Sequence, residues 1–304
     1  MTACADVQVI QKKTEAEMFK EFIFVILDKD ISFLRYALIA GLLGSIPLGI
    51  SGSFVVSRNI SAIAGAIAHA VLGGVGLALY LNRVMNLSWM TPLTGAMLGA
   101  FAAALLIYFA SLHAGEKEDI VISAVWALGM SIGLLFIAKT PGYVDLQGYL
   151  FGNILLVTKS DLYMVMILSG LVTILTAIFF RPLQMMLFDS EFARLRGINV
   201  NALYFLLLLL VAMTVVLMVN IAGIILLIAL LSLPAATAKC FVRSLASMMT
   251  VAILLAMMEL TLGLYVSFSC NLPTGPLAVL IAVIFYIIAR VKVKLSKFRN
   301  RKNV

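Results

Sequence analysis

Two ionisable side chains stand where a chain of this composition has least room for them. His69 lies near the middle of residues 57–81, SRNISAIAGAIAHAVLGGVGLALYL, an apolar run long enough to cross a bilayer. At helical spacing its own face carries Gly65 and Ala66 behind it and Gly73 and Gly76 ahead. A face so stripped of bulk lets another helix or an ion come close to the imidazole. A titratable residue inside a span points to a route or site, while small residues equally mark helix–helix seams in lipid. On these residues alone both readings stand. Glu259, in LLAMMELTLGLYVSF, is the only acidic residue well inside an apolar run, and Gly263 and Ser267 extend a small, slightly polar stripe from it. A lone buried carboxylate is costly unless it is paired, hydrated or protonated. Carboxylate and imidazole together make a reasonable transient ligand set for a first-row divalent cation. A protonated glutamate bonded to a neighbouring helix is the structural alternative.

The elements that must position these groups are membrane spans. Of 304 residues, 63% are hydrophobic and only 12% charged, with a mean hydropathy of +1.12. A soluble protein carries roughly twice that share of charge. Apolar runs recur along nearly the whole length, which predicts an all-α, polytopic helical bundle of about eight or nine spans at ~20 residues each. The expected spans are 33–56, with a kink at Pro47, then 57–81, 91–111, 120–138, 162–180, 203–219, 221–238, 245–268 and 277–289. Gly95/Gly99 and Gly129/Gly133 have the spacing for close helix contact. Residues 139–161 are too broken by Pro141, Gly142, Gly148 and Gly152 for a plain span. The span at 162–180 is expected to end at Arg181-Pro182.

Three regions follow: an arm over 1–30 with a short interfacial helix around 22–27, the membrane domain over 31–290, and a basic tail over 291–304. The net charge of +8 points to membrane lipid rather than nucleic acid, because Arg290, Lys292, Lys294, Lys297, Arg299, Arg301 and Lys302 crowd the end of the chain. Such a cluster after a span reads as cytoplasmic. Counting back from it puts Arg181, Arg194, Arg196, Lys239, Arg243, Lys117 and Arg58 on the same side, leaving Arg83, Lys139 and Lys159 outside. Nine crossings would place the arm outside and eight inside. The arm shows no signal-peptide pattern.

Much chemistry is absent from the sequence. No GxxxxGK[ST] stretch cradles nucleotide phosphates and no HExxH binds a hydrolytic metal. Cys4, Cys240 and Cys270 are scattered, and the sixteen methionines suit apolar filler better than a copper array. A non-catalytic role with no resident cofactor is expected. The longest charged interior stretch, 181–199, holds Asp189, Glu191, Arg194 and Arg196 in a short helix-prone segment ended by Gly197, with Phe188 and Phe192 at i, i+4. A compact charged helix with an aromatic face suits docking into a partner's groove; a solvated loop is the alternative.

Several stretches, in this order, resemble the permease subunits of the manganese/zinc/iron ABC importers. They are FVVSRNISAIAGAIAHAVLGG (54–74), KED (117–119), GYLFGNILLVTKSDL (148–162), DSEFARLRGI (189–198), LLSLPAATA (230–238) and GLYVSF with NLPTGP (263–276). The resemblance implies an ABC importer permease fold in the inner (plasma) membrane of a bacterium. It further implies a second permease copy or a similar permease, a separate ABC ATPase subunit beneath the pair, and an extracytoplasmic metal-binding protein that delivers the cation. Asp189, Glu191, Phe192, Arg194 and Gly197 would belong to the segment that docks on the ATPase. His69 matches the histidine of the family's span-two motif, proposed to contact the ion in transit, whereas Glu259 matches no ligand of the family and rests on the physics above. The family commonly has Asp four residues before that histidine, where this chain has Gly65; Ala68 and Gly73 also depart from the motif. Glu259 or the partner permease would then have to supply an acid, and a heteromeric pair is the favoured arrangement. The expectation is uptake of a divalent metal by alternating access. The alternatives are a permease for iron–chelate or cobalamin-like cargo, and a stand-alone carrier using Glu259 to move protons.

Overall fold

The computed structural model describes residues 24, 32–113, 118–144, 146–152, 157–270 and 272–302. The interfacial helix expected at 22–27 lies, apart from Phe24, outside the described residues, as does most of the charged loop around 114–117. Ten helices follow one another: α1 (Ser32–Arg58), α2 (Ala62–Val84), α3 (Pro92–His113), α4 (Glu118–Lys139), α5 (Leu146–Phe151), α6 (Lys159–Phe188), α7 (Ser190–Leu195), α8 (Val200–Lys239), α9 (Leu245–Cys270) and α10 (Thr274–Lys302). The described residues contain nine segments long and apolar enough to cross a bilayer, since α8 supplies two, Val200–Val219 and Ile221–Lys239.

Those two halves of α8 run in opposite directions. Ser51 of α1 is hydrogen-bonded to Thr214 at 2.8 Å, while a Cβ on its neighbour Gly52 would strike the carbonyl of Leu231. In a straight helix, residues 214 and 231 would stand about 25 Å apart. The chain therefore doubles back, at Gly223, whose φ of 76° and ψ of 166° are non-helical. Along α1, Gly44 meets Met218 and Ser51 meets Leu210 and Thr214, so the first half is antiparallel to α1. Gly52 meets Leu231 and Ala235, and Val56 accepts a hydrogen bond from Lys239 Nζ at 3.1 Å, so the second half is parallel to it. Both ends of α8 thus lie at one face of the bundle with Arg58 and α7, hereafter the basic face. The short α5 sits at the opposite end, where Gly152 presses on Ala222 and Gly223.

α8 is also the hub. It packs against α1, α2, α3, α5, α6, α7, α9 and α10. With α1 and α2 it forms the buried centre, while α3, α4, α6, α9 and α10 turn most of their surface outward. Pro47 lies within α1, which continues through it to Arg58. Proline removes the hydrogen bond to the carbonyl four residues back, here that of Leu43, and Ser169 of α6 donates to this oxygen at 3.2 Å. A polar group freed in lipid is thereby satisfied by a neighbouring helix.

One sequence-based boundary is corrected. α6 does not end at Arg181-Pro182 but carries Pro182 inside it and runs to Phe188. α10 likewise runs on past its span, through the basic residues, as a helix to Lys302. The reason is common to both: outside the hydrocarbon region a helix continues while each new residue adds a hydrogen bond, and a single proline does not halt one held by packing.

Candidate functional site

His69 sits in the buried centre, 8% exposed, on a helix whose bare face is occupied by another helix. α4 runs parallel to α2 and packs backbone against backbone. A Cβ on Gly73 would stand 2.8 Å from the carbonyl oxygen of Gly129, and one on Gly76 would stand 2.5 Å from that of Gly133. On the other side α3 runs antiparallel, with Gly74 held against Gly95 and Gly99. The glycine pairs picked out by spacing are therefore helix seams, and all of them converge on α2.

One ring closes the histidine's own side. Trp126 of α4 stacks on the imidazole with centroids 4.9 Å apart and planes 23° from parallel. The same indole fills the place beside Gly65, where a Cβ would come within 2.5 Å of it. At the position where the resembled family carries Asp, this chain thus has a tryptophan ring in the volume a carboxylate would need. Trp126 was not singled out from sequence, since a lone aromatic in an apolar run has no distinguishing signal there. Nδ1 of His69 is buried and has no hydrogen-bond partner among the described residues.

Glu259 is fully buried in α9, and neither carboxylate oxygen has a hydrogen-bond partner among the described residues. The stripe beyond it is used for packing: Gly263 lies against Ala278 of α10, and Ser267 is bonded to Thr274 and to the carbonyl of Leu272. α2 packs mainly on α4, α3 and α8, and α9 on α1, α10 and α8, so His69 and Glu259 stand on helices that share α8 as a neighbour. Among the described residues no group of three or more His, Cys, Asp or Glu is placed to hold a metal ion. What the arrangement offers is two separate, polar, unpartnered groups inside an apolar bundle.

The charged segment is a helix, as its composition suggested. Asp189 is non-helical (φ −152°) and caps α7, its side chain accepting from Phe192 N at 2.9 Å. Gly197, at φ +76°, ends the turn that follows. Glu191, Phe192 and Arg194 are exposed, and Arg196 lies over the Phe192 ring at 5.1 Å. The i, i+4 aromatic face is not formed: Phe188 closes α6 and Phe192 lies in α7, with the extended Asp189 between them.

Comparison with known proteins agrees with this architecture. A protein described as a "Probable metal transport system membrane protein" from Chlamydia muridarum is 38% identical over 251 residues, covering 82% of this chain and 85% of that one. The "Manganese transport system membrane protein MntC" of Listeria monocytogenes is 35% identical over 258 residues, 85% of this chain and 90% of that one. Among solved structures, PsaBC from Streptococcus pneumoniae in complex with Fab superposes with a TM-score of 0.78 at 31% identity, over 89% of this chain and 95% of that one. The model of the ABC 3 transport family matches residues 30–293, nearly all of the bundle. The chain is a multi-pass membrane protein and belongs to the ABC 3 transport family.

Proposed function

We propose that the chain is the permease subunit of an ABC importer that takes up a divalent transition metal: manganese, zinc or iron. The observation that carries this reading is identity of 35–38% over more than four-fifths of the chain to membrane proteins named for metal or manganese transport. The importer would be completed by a second permease (a copy or a relative), a separate ATPase and an extracytoplasmic metal-binding protein. The basic face would be cytoplasmic, since Arg58, Lys239, Arg194 and Arg196 gather there. α7 would dock on the ATPase through Glu191, Phe192 and Arg194, with Asp189 and Gly197 shaping its ends. His69 and Glu259 would meet the ion in transit. With Trp126 beside the imidazole, any further acid would come from elsewhere, which favours a heteromeric pair.

Uptake of manganese, zinc and iron into vesicles holding the reconstituted assembly tests this. ATP-dependent entry of one of them is expected, and His69→Ala should lower it at least about tenfold, the equivalent of ~1.4 kcal/mol, with the protein still folded. Undiminished uptake by that variant removes His69 from the route. Uptake by this chain alone, driven by a proton gradient, would overturn the importer.

A further inference from the structure

We propose that the α3–α8 seam at the basic face binds one anionic phospholipid, its phosphate between Arg58 and Arg194 and one acyl chain along the seam. The headgroup end is a cavity of about 480 Å³ lined by Arg58, Ser111, Ser190, Arg194, Asn201 and Tyr204. These come from four elements: the end of α1, the end of α3, α7 and the first turns of α8. Among the described residues no carboxylate lines it. Among the described residues neither guanidinium has a hydrogen bond or ion pair with the protein. Arg58 is held in place instead by stacking, its guanidinium carbon 4.5 Å from the centroid of the Tyr204 ring, and Tyr204 is hydrogen-bonded to Ser111 at 3.4 Å. Two guanidinium groups with the Ser190 hydroxyl and the Asn201 amide beside them suit a phosphate, whose oxygens accept charge-assisted bonds from several donors at once.

A second cavity on the same seam selects a lipid over other sources of phosphate. It measures about 250 Å³, is almost purely apolar, and is lined by Met97, Phe101, Leu168, Leu209, Met213 and Val216. On α8 these positions lie five to twelve residues beyond Tyr204, or ~8–18 Å along the helix at ~1.5 Å per residue. That is the depth of one leaflet, half of a ~30 Å hydrocarbon core. Phe205, next to Tyr204 on α8, has its ring 5.0 Å from that of Tyr108 and 6.5 Å from that of Phe101, which lines the second cavity. The outer flank of α3 is lipid-facing, with Phe101, Leu106 and Phe109 exposed. Free phosphate would use the first cavity only. An acidic protein loop would have no use for the second, and the outward side of α7 offers it Phe192 and Leu195 instead. A bound lipid would fasten α7 to the ends of α1 and α3. The inference is independent of which solute the chain carries; with the Arg194 guanidinium on the phosphate, docking of α7 would rest on Glu191 and Phe192.

The test uses the full chain in phosphatidylcholine nanodiscs containing a minor fraction of phosphatidylglycerol, with retained lipid counted by native mass spectrometry after mild delipidation. One phosphatidylglycerol should be retained in preference to phosphatidylcholine. Arg58→Gln with Arg194→Gln should weaken retention about tenfold, and Arg58→Lys less. Ala212 also lines the apolar cavity, so Ala212→Trp, which fills it, should weaken retention without removing a charge. Lys292→Gln, a loss of charge on α10, should not. Thermal unfolding of each variant confirms folding. Equal loss with Lys292→Gln, full displacement by inorganic phosphate, retention untouched by Ala212→Trp, or no preference in the unaltered chain (the outcome if an acidic segment of this protein fills the pocket) would each overturn the proposal.

Discussion

At the scale of single residues, the environment of His69 is set by what stands next to it. Gly65 leaves a gap one turn away, and the Trp126 ring fills it. The two positions are coupled, so a carboxylate cannot be restored at one without change at the other. Gly65→Asp alone is expected to destabilise the protein by about 1–3 kcal/mol, the usual penalty for overpacking. Gly65→Asp with Trp126→Ala should recover much of that loss, because the added side chain then has room. Thermal unfolding in detergent of the two single variants and the double variant reads the coupling directly; purely additive changes would mean that the ring and the missing acid are unrelated. Pro47 and Ser169 form a second coupled pair. Ser169→Ala leaves the Leu43 carbonyl unpaired among apolar side chains and should cost about 1–3 kcal/mol, whereas Thr173→Ala, one turn further along α6 with its hydroxyl on its own helix, should cost less.

At the scale of elements, close packing depends on glycine at a few positions where backbone meets backbone. The two seams of α2 use seven of them, Gly73, Gly74 and Gly76 on α2, Gly95 and Gly99 on α3, and Gly129 and Gly133 on α4. In lipid, association of helices comes from such packing rather than from water exclusion. The reversal within α8 depends on Gly223 for a different reason, its positive φ. At φ 76° and ψ 166°, a region essentially reserved for glycine, an L side chain costs about 1–3 kcal/mol of backbone strain, and Gly152, just after α5, adds a steric limit. Gly223→Ala is therefore expected to lower the unfolding temperature more than Gly170→Ala, since a Cβ at Gly170 meets open space. Equal effects would count against a strained reversal. On α7, Asp189→Ala removes the cap and should loosen the segment by about 1 kcal/mol. If α7 docks on an ATPase, that variant also lowers the metal moved per ATP hydrolysed, and an unchanged ratio would argue that α7 is a surface turn only.

At the scale of the molecule, the doubled-back α8 determines which loops share a face. With the native cysteines replaced by serine, Asn201→Cys and Phe241→Cys should react with a membrane-impermeant thiol reagent from one side of a sealed vesicle. Trp89→Cys should react only from the other. A 40-residue α8 running straight would instead separate the first two. Much of this architecture was legible in advance. Nearly every span, the charged helix ended by Gly197 and the glycine seams can be read from runs and spacings, because membrane length and backbone satisfaction admit few other structures. The continuation of α6 through Pro182 was not legible, since neighbouring packing outweighs what one proline removes. Nor was Trp126.

The sequence by itself determined that the chain is a helical membrane bundle, where its polar exceptions lie and which end is basic, because hydrocarbon tolerates so few backbones and so few charges. Only the tertiary structure decided that α8 is the hub, that the face of His69 is closed by α4, and that Arg58 and Arg194 share a cavity. The physical reason is that lipid-facing and buried surfaces are equally apolar. With no contrast between an inside and an outside, periodicity cannot say which helix lies at the centre or which side chains meet; shape and close packing alone can.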